Sequence, residues 1–184
     1  MNAKEFIHRI IQFVFDTKVV DSYVTKRNPS DGELSDIRLN AIVVQWYATQ
    51  MYISARAITD KLSEKERALL AGMYESHFLT ADFKTEKTSK FKSELLLKME
   101  YQKDHYDSVN PVNGVFDITG YNFIGEIGEI FARICNRSDS VEFKRLGSEL
   151  FGSCLNKCIN EFKFVRIEFK NLRSKNENIG LHLV

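Results

Sequence analysis

The sequence predicts an all-α fold, a single-domain bundle of about six helices. Three observations carry this reading. The 184 residues contain only two prolines and nine glycines, too few turn formers for the many tight connections of a β-sandwich or barrel. Helix starts are well marked: Asn2 with Glu5, Ser30 with Glu33, Ser63 with Glu66 and Asp139 with Glu142 all have capping-box spacing. In that motif the N-cap side chain and the residue three places on each satisfy an orphan backbone N–H. The segments that follow these signals repeat their apolar residues at the helical period.

The first helix is expected over Ala3 to about Tyr23, and the second over about 31–62, containing "IRLNAIVVQWYATQMYISARAI". The third covers "EKERALLAGMYESHF". The polar, lysine-rich "TADFKTEKTSKFK" reads as a loop leading into a fourth helix that carries "SELLLKMEYQKDHY". Asn-Pro and Asn-Gly in "DSVNPVNGVFD" mark the clearest loop of the chain. A fifth helix lies in "GVFDITGYNFIGEIGEIFARI", and a sixth is predicted over about 140–172. Residues 1–173 are therefore expected to form one helical domain, with 174–184 a polar, then apolar tail.

The glycines of the fifth helix raise a question of chemistry. At about 100° per residue, Phe123, Ile124, Ile127, Ile130, Phe131 and Ile134 share one arc, and Asn122, Glu126, Glu129 and Arg133 lie opposite. Gly125, Gly128 and Ala132 line one shoulder of the apolar arc. No Gly-Lys-Ser or Gly-Lys-Thr occurs, and no G-x-G-x-x-G follows a strand, so a phosphate loop is excluded in favour of close helix packing. A short turn near Asn136–Asp139 makes the fifth and sixth helices antiparallel neighbours. Gly125 and Gly128 are then expected to pack against the Ser148–Gly152 edge.

With 26 basic and 25 acidic side chains the chain is nearly neutral, which argues against a protein that coats nucleic acid. Cys135, Cys154 and Cys158 are odd in number. They make a poor disulfide framework and indicate a reducing compartment. Cys154 and Cys158 fall within an apolar stripe with Phe143, Leu150, Phe162, Val165 and Phe169 and are read as core residues. Glu5, His8 and Arg9 interrupt the apolar residues of the amino terminus, unlike a signal peptide. No run of apolar residues reaches the length of a membrane span. The expected location is the cytoplasm.

Motifs for catalysis are absent. His8, His77, His105 and His182 form no H-E-x-x-H. Glu5 and His8 make one E-x-x-H, whereas a di-iron bundle needs two such motifs and two further glutamates. The arginine–polar–histidine signature of helical HEPN ribonucleases, a His-Asp pair and a G-x-S-x-G elbow are all missing. No catalytic residue, metal site or cofactor is expected. The densest polar cluster, "EYQKDHYDS", closes the fourth helix. It places Asp104, Tyr106 and Asp107 beside the following loop with Asp117, and the fifth helix adds Glu126 and Glu129. These six residues are assigned to a partner-binding surface, because tyrosine is common in interface hot spots and acids steer a basic partner.

Size, charge and the lack of a visible active site give a profile similar to bacterial toxin-neutralising immunity proteins, phage inhibitors and small adaptors, although no motif matches any one family. The expected function is that of a cytoplasmic protein that binds another protein without catalysis, such as an immunity protein occluding a toxin, with a nuclease among the candidate toxins. Two alternatives stand beside it. One is a helical enzyme centred on His105 between Asp104 and Asp107. The other is a nucleic-acid-binding regulator using Lys163, Arg166, Lys170 and Arg173 along one side of the sixth helix; a second basic cluster, Lys84, Lys87, Lys90 and Lys92, has acids interleaved and reads as a solvated face.

Overall fold

The computed structural model describes residues 1–80, 86–107 and 121–169. Seven α-helices occur among them: α1 (Ala3–Val14), α2 (Lys18–Arg27), α3 (Asp31–Thr59), α4 (Glu64–Thr80), α5 (Glu86–Asp107), α6 (Tyr121–Ile134) and α7 (Val141–Phe162). The all-α fold is as the sequence indicates. The Lys84 position, Asp117 and the 174–184 tail lie outside the described residues.

α3 is the central element, and it packs against each of the other helices. That position explains its composition. Ile37, Val44, Ala48 and Ala57 are buried, and so are the polar residues Asn40, Gln45 and Thr49. A helix covered on nearly every side buries polar groups only where partners are supplied. One hydrophobic cluster runs through all the helices, with Phe6, Phe131, Phe151 and Phe162 fully buried in it.

Three predicted boundaries move, each for an identifiable reason. The helix expected over 3–23 is two helices. Val14 is the last residue of α1, and the side-chain amide of Gln45 on α3 donates to the carbonyls of Phe13, Val14 and Asp16 at 3.3, 3.0 and 2.9 Å. These are carbonyls that a helix end leaves without partners. Asp16 Oδ1 then accepts from the Lys18 N–H at 3.0 Å, starting α2 in a new direction. The N-cap of α7 is Ser140, whose Oγ accepts from the Phe143 N–H, one residue later than the Asp139 box suggests.

The helix expected to reach residue 172 stops at Phe162. Beyond it Val165, Ile167 and Phe169 alternate with Arg166 and Glu168. Ile167 and Phe169 are buried while Arg166 and Glu168 are exposed. This is the two-residue period of extended chain. The segment pairs with the amino terminus through a parallel bridge between Asn2 and Glu168: Ala3 N–H donates to Glu168 O and Glu168 N–H to Met1 O, both at 3.0 Å. The Arg56 guanidinium on α3 holds the Val165 carbonyl.

α6 and α7 form the antiparallel pair anticipated from their short turn. Phe123 meets Phe151, Ser148 Oγ donates to Ile124 O at 2.9 Å, and Phe131 stacks on Phe143. Of the two glycines expected at the close approach, Gly128 makes it and Gly125 does not, and on α7 Gly147 takes the place expected for Gly152. A side chain on Gly128 would overlap the Lys144 carbonyl and Ser148, and one on Gly147 would overlap Phe131. Gly125 and Gly152 have open space at the corresponding position. The interhelical register places Gly128, not Gly125, against the Lys144–Ser148 ridge.

Candidate functional site

The surface assigned from sequence centres on α5, and its inner and outer faces differ sharply. On the inner face Leu95, Gln102 and Tyr106 are buried against the core. Tyr106, only 1% exposed, is therefore removed from the partner-binding surface. Its Cβ points the ring at Tyr47, with ring centroids 5.2 Å apart, and Tyr47 Oη donates to the Tyr106 carbonyl at 2.5 Å. Burial pushes the Tyr106 phenol above the ordinary tyrosine range.

A polar network joins this inner face to α3 and α6. Gln102 Nε2 donates to Asn40 Oδ1 at 2.8 Å. Asn40 Nδ2 donates to Asp36 Oδ2 at 3.1 Å and to Cys135 Sγ at 3.3 Å, using both of its hydrogens. Lys98 Nζ closes the chain on Asp36 Oδ1 at 2.6 Å. Burial pushes the Cys135 thiol up to about 12, against the hydrogen bond from Asn40. At that value it is neither a nucleophile nor a ready metal ligand at neutral pH. The network fixes where α5 sits on α3 rather than offering chemistry: each neutral hydrogen bond contributes about 1 kcal/mol, and its specificity lies in the cost of leaving any member unpaired.

The outer face carries large apolar residues in water. Leu97 is 67% and Tyr101 74% exposed, and their four-residue spacing stacks them on one side of the helix. Asp104, three residues further, is also exposed. The Tyr101 ring stands edge-on to His105, centroids 6.0 Å apart. Three consecutive leucines, 95–97, cannot all face inward on a helix, so the sequence already required one of them to point out. The spacing of Leu97 and Tyr101 was the signal that composition alone did not raise.

Of the remaining assigned residues, Asp107 is the last residue of α5 and its side chain lies outside the description, as does Asp117 altogether. Glu126 is exposed on α6, which packs beside α5. Glu129 is exposed too but is bound to Lys144 of α7 at 2.8 Å. The structure thus keeps Asp104 and Glu126 as accessible acids and replaces Tyr106 by Tyr101 as the accessible tyrosine.

The two described residues of the basic edge expected on the sixth helix, Lys163 and Arg166, lie beyond the end of α7. Lys163 lies past the helix end and covers the Phe164 ring, and Arg166 belongs to the extended segment. Lys170 and Arg173 lie outside the described residues. No cluster of three or more metal-ligating His, Cys, Asp or Glu side chains occurs among the described residues, and no described helix is long and apolar enough to cross a membrane.

No protein-family model, curated protein or solved structure matches this chain.

Proposed function

We propose that the protein acts by binding another protein through the outer face of α5, as a non-catalytic inhibitor that occludes its partner's working surface. The observation that carries this reading is the Leu97–Tyr101 pair, two large side chains one helical turn apart and mostly in water. Exposed apolar side chains scattered singly need no explanation, but an aromatic and a leucine stacked on one face form the anchor type that interfaces bury.

The charge around the pair selects a basic partner. Glu100 and Asp104 are exposed on α5 and Glu126 on α6, against the single exposed cation Lys103 on that stretch of α5. Acids at the rim speed encounter with a basic surface and suppress acidic competitors. A toxin domain that acts on nucleic acid has such a surface, and the reading extends to an immunity protein of a bacterial cytoplasm. The three free cysteines suit that compartment.

Affinity capture from the native host, comparing the parent with Leu97→Asp and Tyr101→Ala, tests the reading. A near-stoichiometric partner of basic character, retained by the parent, lost by both variants and released by added salt, supports it. A partner held equally by all three proteins removes α5 as the binding surface. A captured enzyme whose activity is undiminished in the complex removes the inhibitor role.

A further inference from the structure

The E-x-x-H motif of Glu5 and His8 is unremarkable as sequence. The fold gives it a partner 69 residues away. His77, near the end of α4, brings its Nε2 to 3.2 Å from His8 Nδ1 on α1, with the two rings nearly perpendicular at 86°. One nitrogen carries a hydrogen and the other accepts it. The pair stands at the surface: His8 is exposed and His77 half-buried. His77 also lines a groove of about 380 Å³ between α1 and α4, with Lys4, Ile7, Leu69 and Met73.

We propose that His8 and His77 form a two-imidazole chelate for a late first-row transition cation such as Zn²⁺ or Cu²⁺, clipping α1 to α4. The separation of the nitrogens carries the inference. An ion bound at about 2.0–2.1 Å by two imidazoles holds them about 3.3 Å apart in tetrahedral geometry. In a square-planar site the distance is about 2.8 Å. The observed 3.2 Å falls between these values, so the helices need not move to admit the ion. Each ring has only to turn by roughly 35° to swing its lone pair from its neighbour onto a shared vertex. His8 is exposed and free to do this, and half-buried His77 borders the open groove. Imidazole selects zinc and copper over magnesium or calcium, which take oxygen ligands.

The pair supplies two ligands, and water fills the other positions. Glu5 lies one turn before His8 on α1, within the i, i+3 neighbourhood, but no third ligating group joins the histidines among the described residues. Cys135, Cys154 and Cys158 do not compete for the ion. The last two are buried on α7, and Cys135 sits in the Asn40 network. The proposal departs from the sequence expectation of no metal site, because spacing rules find ligands close in sequence and these two are joined only by the α1–α4 packing.

Calorimetric titration of tag-free full-length protein with zinc chloride and with copper(II) chloride tests the proposal. The expected result is one saturable equivalent, weakened by more than about tenfold in each of His8→Gln and His77→Gln and unchanged in His105→Gln. Zinc should also raise the thermal midpoint of the parent and not of the two site variants. Circular dichroism of each variant establishes that it is folded. The proposal is overturned if the parent shows no saturable binding, if both site variants bind as the parent does, or if the loss occurs in His105→Gln instead.

Discussion

Gly128 on α6 lies directly against the backbone carbonyl of Lys144 on α7, so that any side chain at position 128 would overlap it. The Lys144 carbonyl is part of the first turn of α7 and cannot move aside alone, and the second obstacle, Ser148 Oγ, is engaged with the Ile124 carbonyl at 2.9 Å. Gly128→Ala should therefore destabilise by about 1–3 kcal/mol through overpacking. Gly125→Ala, three residues away, meets nothing within 4 Å and should be neutral or stabilising by up to about 1 kcal/mol through helix propensity. Urea denaturation of the two variants decides the matter. Equal stability would mean that the helices stand further apart than the structure places them.

That glycine pair shows how far the sequence could be read. The amphipathic arc of α6, its short turn and the antiparallel partner follow from periodicity and connection length, which are local properties. Whether Gly125 or Gly128 meets the ridge depends on the axial register and rotation of two helices, set by how Phe123, Phe131, Phe143 and Phe151 interlock. No local pattern encodes that. The break after Val14 was hidden for the same reason: the amide that satisfies the end of α1 belongs to Gln45, 31 residues beyond Val14. The end of α7 was legible. The alternation of Val165, Ile167 and Phe169 is a strand-like period, masked by the helical stripe that Val165 and Phe169 also continue. At the candidate site, helix phase alone separates Tyr101 from Tyr106. Five residues turn the helix by about 140°, enough to send one tyrosine outward and the other into the core.

Gln45 makes a second prediction. Its amide nitrogen is the meeting point of three carbonyls at the end of α1. Gln45→Leu keeps much of the volume but removes the donor and leaves those carbonyls without it in a largely buried place. The expected cost is on the order of 1–3 kcal/mol, the penalty for unsatisfied buried groups. Gln45→Glu should be worse, since it adds acceptors where only a donor fits. If Gln45→Leu melts with the parent, water or a local rearrangement satisfies α1 and the amide does not terminate it.

A pH dependence follows from Asp16. Burial by itself raises its carboxyl pKa. The hydrogen bond from Lys157 Nζ at 2.6 Å and the one from the Lys18 N–H at 3.0 Å outweigh that, so the folded value lies below the ordinary 3.8. A carboxyl depressed in the folded state contributes stability that is fully present above its unfolded pKa and is lost as the pH falls through the folded one. Asp16→Asn should therefore cost about 1 kcal/mol at pH 7, with the gap to the parent closing as pH drops below about 4. Paired denaturation curves across that range would show the convergence. A gap that stays constant would assign the effect to shape rather than charge.

Tyr106 provides the test that separates the core of the candidate site from its surface. Its hydroxyl is buried with no hydrogen-bond partner among the described residues, whereas its carbonyl takes the Tyr47 hydroxyl at 2.5 Å. Removing an unpartnered buried hydroxyl relieves a desolvation cost, so Tyr106→Phe should be neutral or stabilising by up to about 1 kcal/mol. Tyr47→Phe loses a made bond and should destabilise by about 1–2 kcal/mol. Because Tyr106 faces the core, Tyr106→Phe should leave partner binding unchanged, while Tyr101→Ala, on the opposite side of the same helix, should abolish it without loss of stability. The reverse pattern, with binding lost in Tyr106→Phe and kept in Tyr101→Ala, would mean that a partner reaches the buried hydroxyl by displacing α5 and that the exposed Leu97–Tyr101 pair is not the anchor.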